Sequence, residues 1–180
     1  MRDVKLDFFV LPVVMRRDFV ETFVLEKEDF AVQNPDWVRR MEEQPSGFDA
    51  WYTGAFLWEK MSAAGATTDF DGVLELLRAR AGKVLFMSES ETSGHGGGLR
   101  YKGRMVYDFV AMADPKELAD LIEYEWKENS RLLLEDRLTL PEDLYVFDTT
   151  LDWAIVFTHE SVETGESSEV VARCCRVIGL

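Results

Sequence analysis

The groups in this chain able to do chemistry near neutral pH are two histidines, two cysteines and a surplus of carboxylates. His95 lies in the string Gly94-His95-Gly96-Gly97-Gly98, whose consecutive backbone N–H groups can stabilise a developing oxyanion. That chemistry also needs a nucleophile elbow of the form Gly-x-Ser-x-Gly, which the sequence lacks. A flexible loop near Ser93 is therefore the plainer reading. His159 and Glu160 close the apolar run that begins at Trp153. In a regular strand His159 shares a face with Trp153, Ile155 and Phe157, and Glu160 shares the other with Ala154, Val156 and Thr158. A histidine leaving the core can act as a general base with a carboxylate orienting it, or it can be a structural histidine bonded to the next turn. Together His95, His159 and Glu160 form the candidate acid–base set of a small enzyme or ligand-binding domain. Its site would lie between the 89–100 loop and the end of the 153–160 strand.

Other chemistries find less support. Zinc asks for three or four Cys, His or carboxylate ligands at matched spacing, and no such set is present. Asp69 and Asp71 lie two apart, but a helix cap accounts for Asp71 and no calcium-loop pattern follows. Phosphate-cradling glycine loops ahead of a helix are absent. No cofactor and no metal are expected. Cys174 and Cys175 are adjacent, so strand geometry points them to opposite faces and opposes a disulfide between them. Arg173 and Arg176 flank them, which lowers a thiol pKa if the thiol is exposed, but Cys174 is expected to face the core. Reduced thiols suggest a cytoplasmic protein.

Charge gives a second function class. The 34 acidic residues outnumber the 20 basic ones, for a formal net charge of −14. Residues 121–180 hold 13 of the acids against 5 bases. This balance opposes direct nucleic-acid binding, which needs a basic face. It suits a non-catalytic protein-binding module that masks a basic protein partner, such as a toxin nuclease, with encounter speeded by complementary charge. Glu123, Glu125, Glu128, Glu135, Asp136, Glu142 and Asp143 are the candidate partner-binding carboxylates. Trp58, off the main aromatic stripe, is the candidate surface aromatic. The plain alternative is that the charge serves solubility alone. A homo-oligomer using exposed aromatics also stays open.

The elements that must position these residues follow from hydrophobic patterning. Apolar residues make up 47% and charged residues 30%, the balance of a globular domain, and the length of 180 residues suits one core. No apolar run approaches the ~20 residues needed to span a bilayer. The opening residues mix acid and base and carry Pro12, unlike a targeting signal. Val4–Val14 reads as extended. Asp18–Phe30 is either a helix, with Phe19, Phe23 and Phe30 on one face and an Asp18/Glu21 capping box, or a strand. Pro35 opens a short helix that stops before Pro45, and Ser46/Asp49 marks another, with Phe48, Trp51, Tyr52, Ala55 and Phe56 on one face. Thr68 with Asp71 caps a third helix carrying Phe70, Val73, Leu74 and Leu77, and Gly82 stops it. Val84–Met87 is a strand, residues 89–100 a loop, and Met105–Ala111 the returning strand of a hairpin. Asp114-Pro115 starts the clearest helix. Leu144–Asp148, Trp153–His159 and Val170–Ile178 form an antiparallel meander, because their connections are too short for parallel crossovers. The apolar run Trp153–Phe157 marks a central strand covered on both faces.

The last third carries a resemblance. Leu144-Tyr-Val-Phe-Asp148, then Trp153-Ala-Ile-Val-Phe-Thr-His-Glu160, then a closing strand at Cys174–Leu180 resembles the ends of small cytoplasmic bacterial proteins of unknown function, some of which look like immunity partners of secreted toxins. The match spans roughly forty residues and brings no catalytic motif with it. It implies a bacterial accessory protein. The resulting expectation is one α+β domain over residues 1–180. It has a mainly antiparallel sheet of about five or six strands, three or four packing helices and a C-terminal three-strand meander.

Overall fold

The computed structural model describes residues 7–8, 12–88, 99–101, 104–106, 109–127, 140–141, 143–163 and 171–180. In chain order these form β1 (Asp7–Phe8), α1 (Pro12–Phe23), α2 (Lys27–Gln33), α3 (Pro35–Glu42), α4 (Gly47–Gly54), β2 (Ala66–Thr67), α5 (Phe70–Arg78), β3 (Val84–Ser88), β4 (Leu99–Tyr101), β5 (Arg104–Val106), β6 (Val110–Ala113), α6 (Pro115–Lys127), β7 (Leu144–Phe147), β8 (Ala154–Glu163) and β9 (Val171–Ile178). Short 3₁₀ turns at Trp58–Lys60 and Ala63–Gly65 lead into β2. The class is α+β, as the patterning implied. Seven strands form the main sheet in the order β1-β6-β3-β7-β8-β9-β2, every pairing antiparallel, while β4 and β5 pair apart from it. The meander of β7, β8 and β9 is present. No described helix is long and apolar enough to cross a membrane.

The sheet is covered on both faces, and the alternation of side chains divides its strands between two cores. Val84, Phe86, Val146, Ile155 and Phe157 point to one side, where α5 and α6 bring Leu74, Leu77, Leu118 and Ile122. Leu85, Met87, Tyr145, Phe147 and Val156 point to the other, against Phe19 and Phe23 of α1 and Trp58 and Met61. This explains why the central strands are apolar without interruption: each has no wet face to which a polar residue could be assigned. The helical layers are held by side chains as well as by burial. Arg78 at the end of α5 bonds Glu75 on its own helix and Asp120 and Glu123 on α6.

Several local expectations are corrected. Pro12 does not close a strand; it begins α1, where its fixed φ and missing N–H suit the first helical position. Extended pairing at the start covers Asp7–Phe8 alone among the described residues. Asp18 lies inside α1 and caps nothing, and Phe30 belongs to a separate helix because the chain leaves α1 at Val24, which bridges to Met61. Ser46 makes no capping bond. The cap of α5 is Asp69, not Thr68: its Oδ1 accepts the Gly72 N–H at 3.0 Å. At α6, Asp114 Oδ1 accepts from the N–H groups of Lys116 and Glu117, in agreement with the start signal. The strand returning to β3 begins at Val110, not Met105, and the pair β4–β5 intervenes. Among the described residues there are six α-helices rather than three or four, because the stretch expected as two helices plus an ambiguous segment breaks into four short ones.

Gly65 marks a point where a side chain is not tolerated. A Cβ there would lie 2.0 Å from the carbonyl oxygen of Val177, so β2 could not stay against β9. Gly65→Ala is expected to cost roughly 1–3 kcal/mol of unfolding free energy in urea titrations. Gly54→Ala, at a position whose Cβ meets open space, serves as the control and should be neutral or slightly stabilising.

Candidate functional site

The site grows out of an irregularity in β8. Phe157 pairs with Cys175, but the next register pair joins Ser161 to Arg173. Four residues advance on β8 for two on β9, so β8 holds two extra residues. Carbonyls displaced from the ladder need donors. Arg173, only 9% exposed, supplies them: its Nε donates to the Thr158 carbonyl at 2.8 Å and its Nη2 reaches the Phe157 carbonyl at 3.5 Å. The Thr158 hydroxyl donates to the Cys174 carbonyl at 2.9 Å. The guanidinium also lies over the rings of Trp126 and Phe157.

This bulge corrects the expected facing of His159 and Glu160. They do not alternate across the sheet; both turn toward the layer that contains Trp58. The His159 ring meets Phe56 and Trp58 edge-on, with centroids 5.1 and 5.9 Å away. Its main-chain N–H donates to Asp143 Oδ1 at 2.7 Å, and its Nδ1 lies 3.0 and 2.9 Å from the two carboxylate oxygens. Carboxylate oxygens accept hydrogen bonds, so the hydrogen of this contact is carried by Nδ1. His159 is 34% exposed at its side chain and Asp143 is 1% exposed. The orienting carboxylate is thus Asp143, not the adjacent Glu160.

Glu160 instead borders a pocket of about 510 Å³ between the sheet and the helical lobe. Phe30 of α2, Trp37 and Arg40 of α3 and Trp51 of α4 form one wall; Trp58, Glu59 and Met61 form another, with Glu160 and Arg176 at the sheet. The helices place these residues because Phe30 packs on Phe48 and Trp51, and Trp37 meets Trp51 edge-on at 5.6 Å. Arg40 lies over the Trp37 ring at 4.7 Å and Arg176 over the Trp58 ring at 5.6 Å. Arg176 Nη1 donates to the Ser62 carbonyl at 3.3 Å. Glu59 Oε2 accepts the Phe56 N–H at 2.8 Å. Burial raises the Glu59 pKa, and the charge of Glu160 raises it further. Burial lowers the Arg176 pKa, against the opposing pull of Glu160 and Glu59. A concave, aromatic wall carrying a few charged groups has the make-up of a small-molecule site.

The remaining site expectations fall as follows. Trp58 is 5% exposed and is not a surface aromatic: Phe56 stacks on it and it belongs to the core on the α1 side of the sheet. Asp143 is buried on His159 rather than displayed to a partner. Glu123 is bound by Arg78. Glu125 turns inward and accepts the Leu140 N–H with both oxygens, at 3.2 and 3.0 Å; burial pushes its pKa up to about 7. Glu128, Glu135, Asp136, Glu142 and His95 lie outside the described residues, as do residues 89–98 of the glycine loop. Cys175, not Cys174, faces the core, since the side chain of Arg173 and that of Cys175 share a face of β9. Both thiols are free, and burial raises both pKa values, that of Cys175 to about 12, against the flanking arginines. Among the described residues no group of three or more His, Cys, Asp or Glu could hold a metal ion. The sequence reading missed Arg40, Arg176, Glu59, Trp37 and Trp51 as site residues. The Trp37-x-x-Arg40 spacing, one helical turn, was the signal that could have revealed part of this wall.

Two measurements check this geometry. Asp143→Ala leaves the N–H and Nδ1–H of His159 without their acceptor and is expected to cost roughly 1–3 kcal/mol in urea unfolding; ¹⁵N spectra should show His159 losing its Nδ1–H preference. For Glu125 the folded pKa of about 7 lies above the ordinary carboxyl value of 4.5. The folded state therefore holds its proton more tightly, so this contribution to stability is full below pH 4.5 and is lost as the pH rises to about 7. Glu125→Gln, which stays neutral, should gain on the native protein by up to about 3 kcal/mol across that window, as read from urea titrations in a pH series. Compared with protein-family models, with curated proteins and with solved structures, the chain matches none.

Proposed function

We propose that this chain is a ligand-binding domain that takes a small organic molecule into the pocket between α2–α4 and the end of β8. The observation that carries the reading is the meeting of Trp37, Trp51 and Trp58 with Arg40, Arg176, Glu59 and Glu160 around about 510 Å³ of open space. Pockets of a few hundred cubic ångströms with apolar walls and a few oriented polar groups are where proteins hold small ligands. Masking of a basic partner has less support. Of the seven carboxylates assigned to it, Glu123, Glu125 and Asp143 are each engaged inside the fold, and the other four lie outside the described residues.

A second reading rests on the Asp143–His159 pair, whose geometry is that of a base held by its carboxylate. His159 touches Trp58, which lines the pocket, but is not itself part of the lining. Ligand binding is therefore the primary conclusion.

The test is a screen of small polar aromatic compounds read on the indole N–H signals of the five tryptophans. Ligands of this site should shift Trp37, Trp51 and Trp58 and leave Trp126 and Trp153 in place. Trp51→Leu should weaken those compounds by about tenfold, the loss of one aromatic contact. Compounds that bind without moving the three pocket indoles, or a screen in which nothing moves them, would remove the proposal.

A further inference from the structure

The pocket is lined by charges of both signs, and Arg176 lies in the field of Glu160 and Glu59. Arg40 and Arg176 have no carboxylate within ion-pair distance among the described residues, and neither does Glu160 have a cation. Glu59 accepts the Phe56 N–H, and the charges of Lys60 and Arg176 act on its carboxylate. Asp36, which also lines the space, is already paired with Arg39. Two positive and two negative groups therefore face a site walled by tryptophan. A ligand of one sign would meet repulsion as strong as its attraction. One with both signs and no net charge meets a partner for each.

A second observation concerns the tryptophan wall itself. The indole Nε1 atoms of Trp37 and Trp58 are buried and have no hydrogen-bond partner, and Trp58 as a whole is almost fully enclosed. An unmatched buried N–H is rare in folded proteins, because it forfeits its bond to water without replacement. Both belong to pocket-lining residues, and each ring carries one of the two arginines on its face. Each of these rings thus has a guanidinium beside it, the group that receives a carboxylate.

Resting on the pocket being a ligand site, we infer that its ligand is a zwitterionic aromatic amino acid. The carboxylate goes to Arg40 and Arg176, the ammonium to Glu160 and Glu59, and the ring to the tryptophan wall. Planar side chains and ammonium groups both favour aromatic surroundings, by edge or face contacts and by attraction to the ring faces.

Calorimetric titration of the full chain with four probes tests this: L-phenylalanine, 3-phenylpropionate (no amine), 2-phenylethylamine (no carboxylate) and L-alanine (no ring). L-phenylalanine should bind at least about tenfold more tightly than each of the others, the loss of one matched group. Arg176→Gln should bring L-phenylalanine down toward the level of 2-phenylethylamine and leave the amine probe unchanged. Glu160→Gln should do the converse with 3-phenylpropionate. Arg40→Gln, at an exposed helix position, repeats the arginine test where packing is not at stake. Equal binding of L-phenylalanine and either singly charged probe, or no binding of L-phenylalanine, overturns the inference. If other aromatic compounds still move the Trp37 and Trp58 indoles in that event, the pocket remains a ligand site of another class. If none does, both readings fall together.

Discussion

The buried guanidinium of Arg173 is the interaction on which the rest of the site depends. Two residues inserted into the middle of a strand leave carbonyls out of the ladder, and carbonyls stranded between two apolar layers are costly unless a donor reaches them. Arg173 provides that donor from the neighbouring strand while its own charge lies against aromatic rings. The bulge it sustains turns His159 onto Asp143 and Glu160 toward Arg176. A regular β8 would have sent the two residues to opposite sides of the sheet. A single irregularity, with its own internal cation, thereby sets the direction of His159 toward Asp143, just ahead of β7, and of Glu160 toward Arg176 on β9.

The double covering of the sheet sets where such groups can go. With helices on one side and α1 with the Trp58 turn on the other, β3, β7 and the Ala154–Phe157 part of β8 have no solvent face. Polar chemistry is confined to the ends of strands and to the rim where the helical lobe meets β8 and β9. The pocket occupies that rim. Its walls come from three short helices whose aromatic side chains pack mainly on one another, so the lobe presents a tryptophan surface to the sheet instead of burying it completely.

Net charge does not say which carboxylates are displayed and which are used inside the fold. The chain is strongly acidic, yet the described carboxylates of the last third that looked most available serve as internal acceptors. Glu123 joins α6 to α5 through Arg78, Glu125 holds the main chain at Leu140, and Asp143 secures His159. Composition counts charges without regard to where they point. A carboxylate has the same weight in that count whether it meets water, a guanidinium or a main-chain N–H.

Local patterning made the α+β class legible, along with the central apolar strand at Trp153–Phe157, the meander and the start of α6 at Asp114-Pro115. Each of these depends on neighbours within a turn or a strand pair, where period and cap chemistry act. Helix boundaries in residues 12–54 are not legible locally because the break after α1 is held by distant partners, through the bridge from Val24 to Met61 and the Leu25 N–H to the Lys60 carbonyl. His159 and Glu160 were legible as residues of interest, but their directions were not, since the bulge depends on the pairing of β8 with β9. Arg40 and Arg176, 136 positions apart in the numbering, come to one pocket only when the helical lobe closes on the sheet. The sequence by itself determined which segments are apolar, on which period, and where helices can begin. The tertiary structure alone decided which polar groups meet, because hydrogen bonds and charge pairs act through space, and their partners here lie many residues apart along the chain.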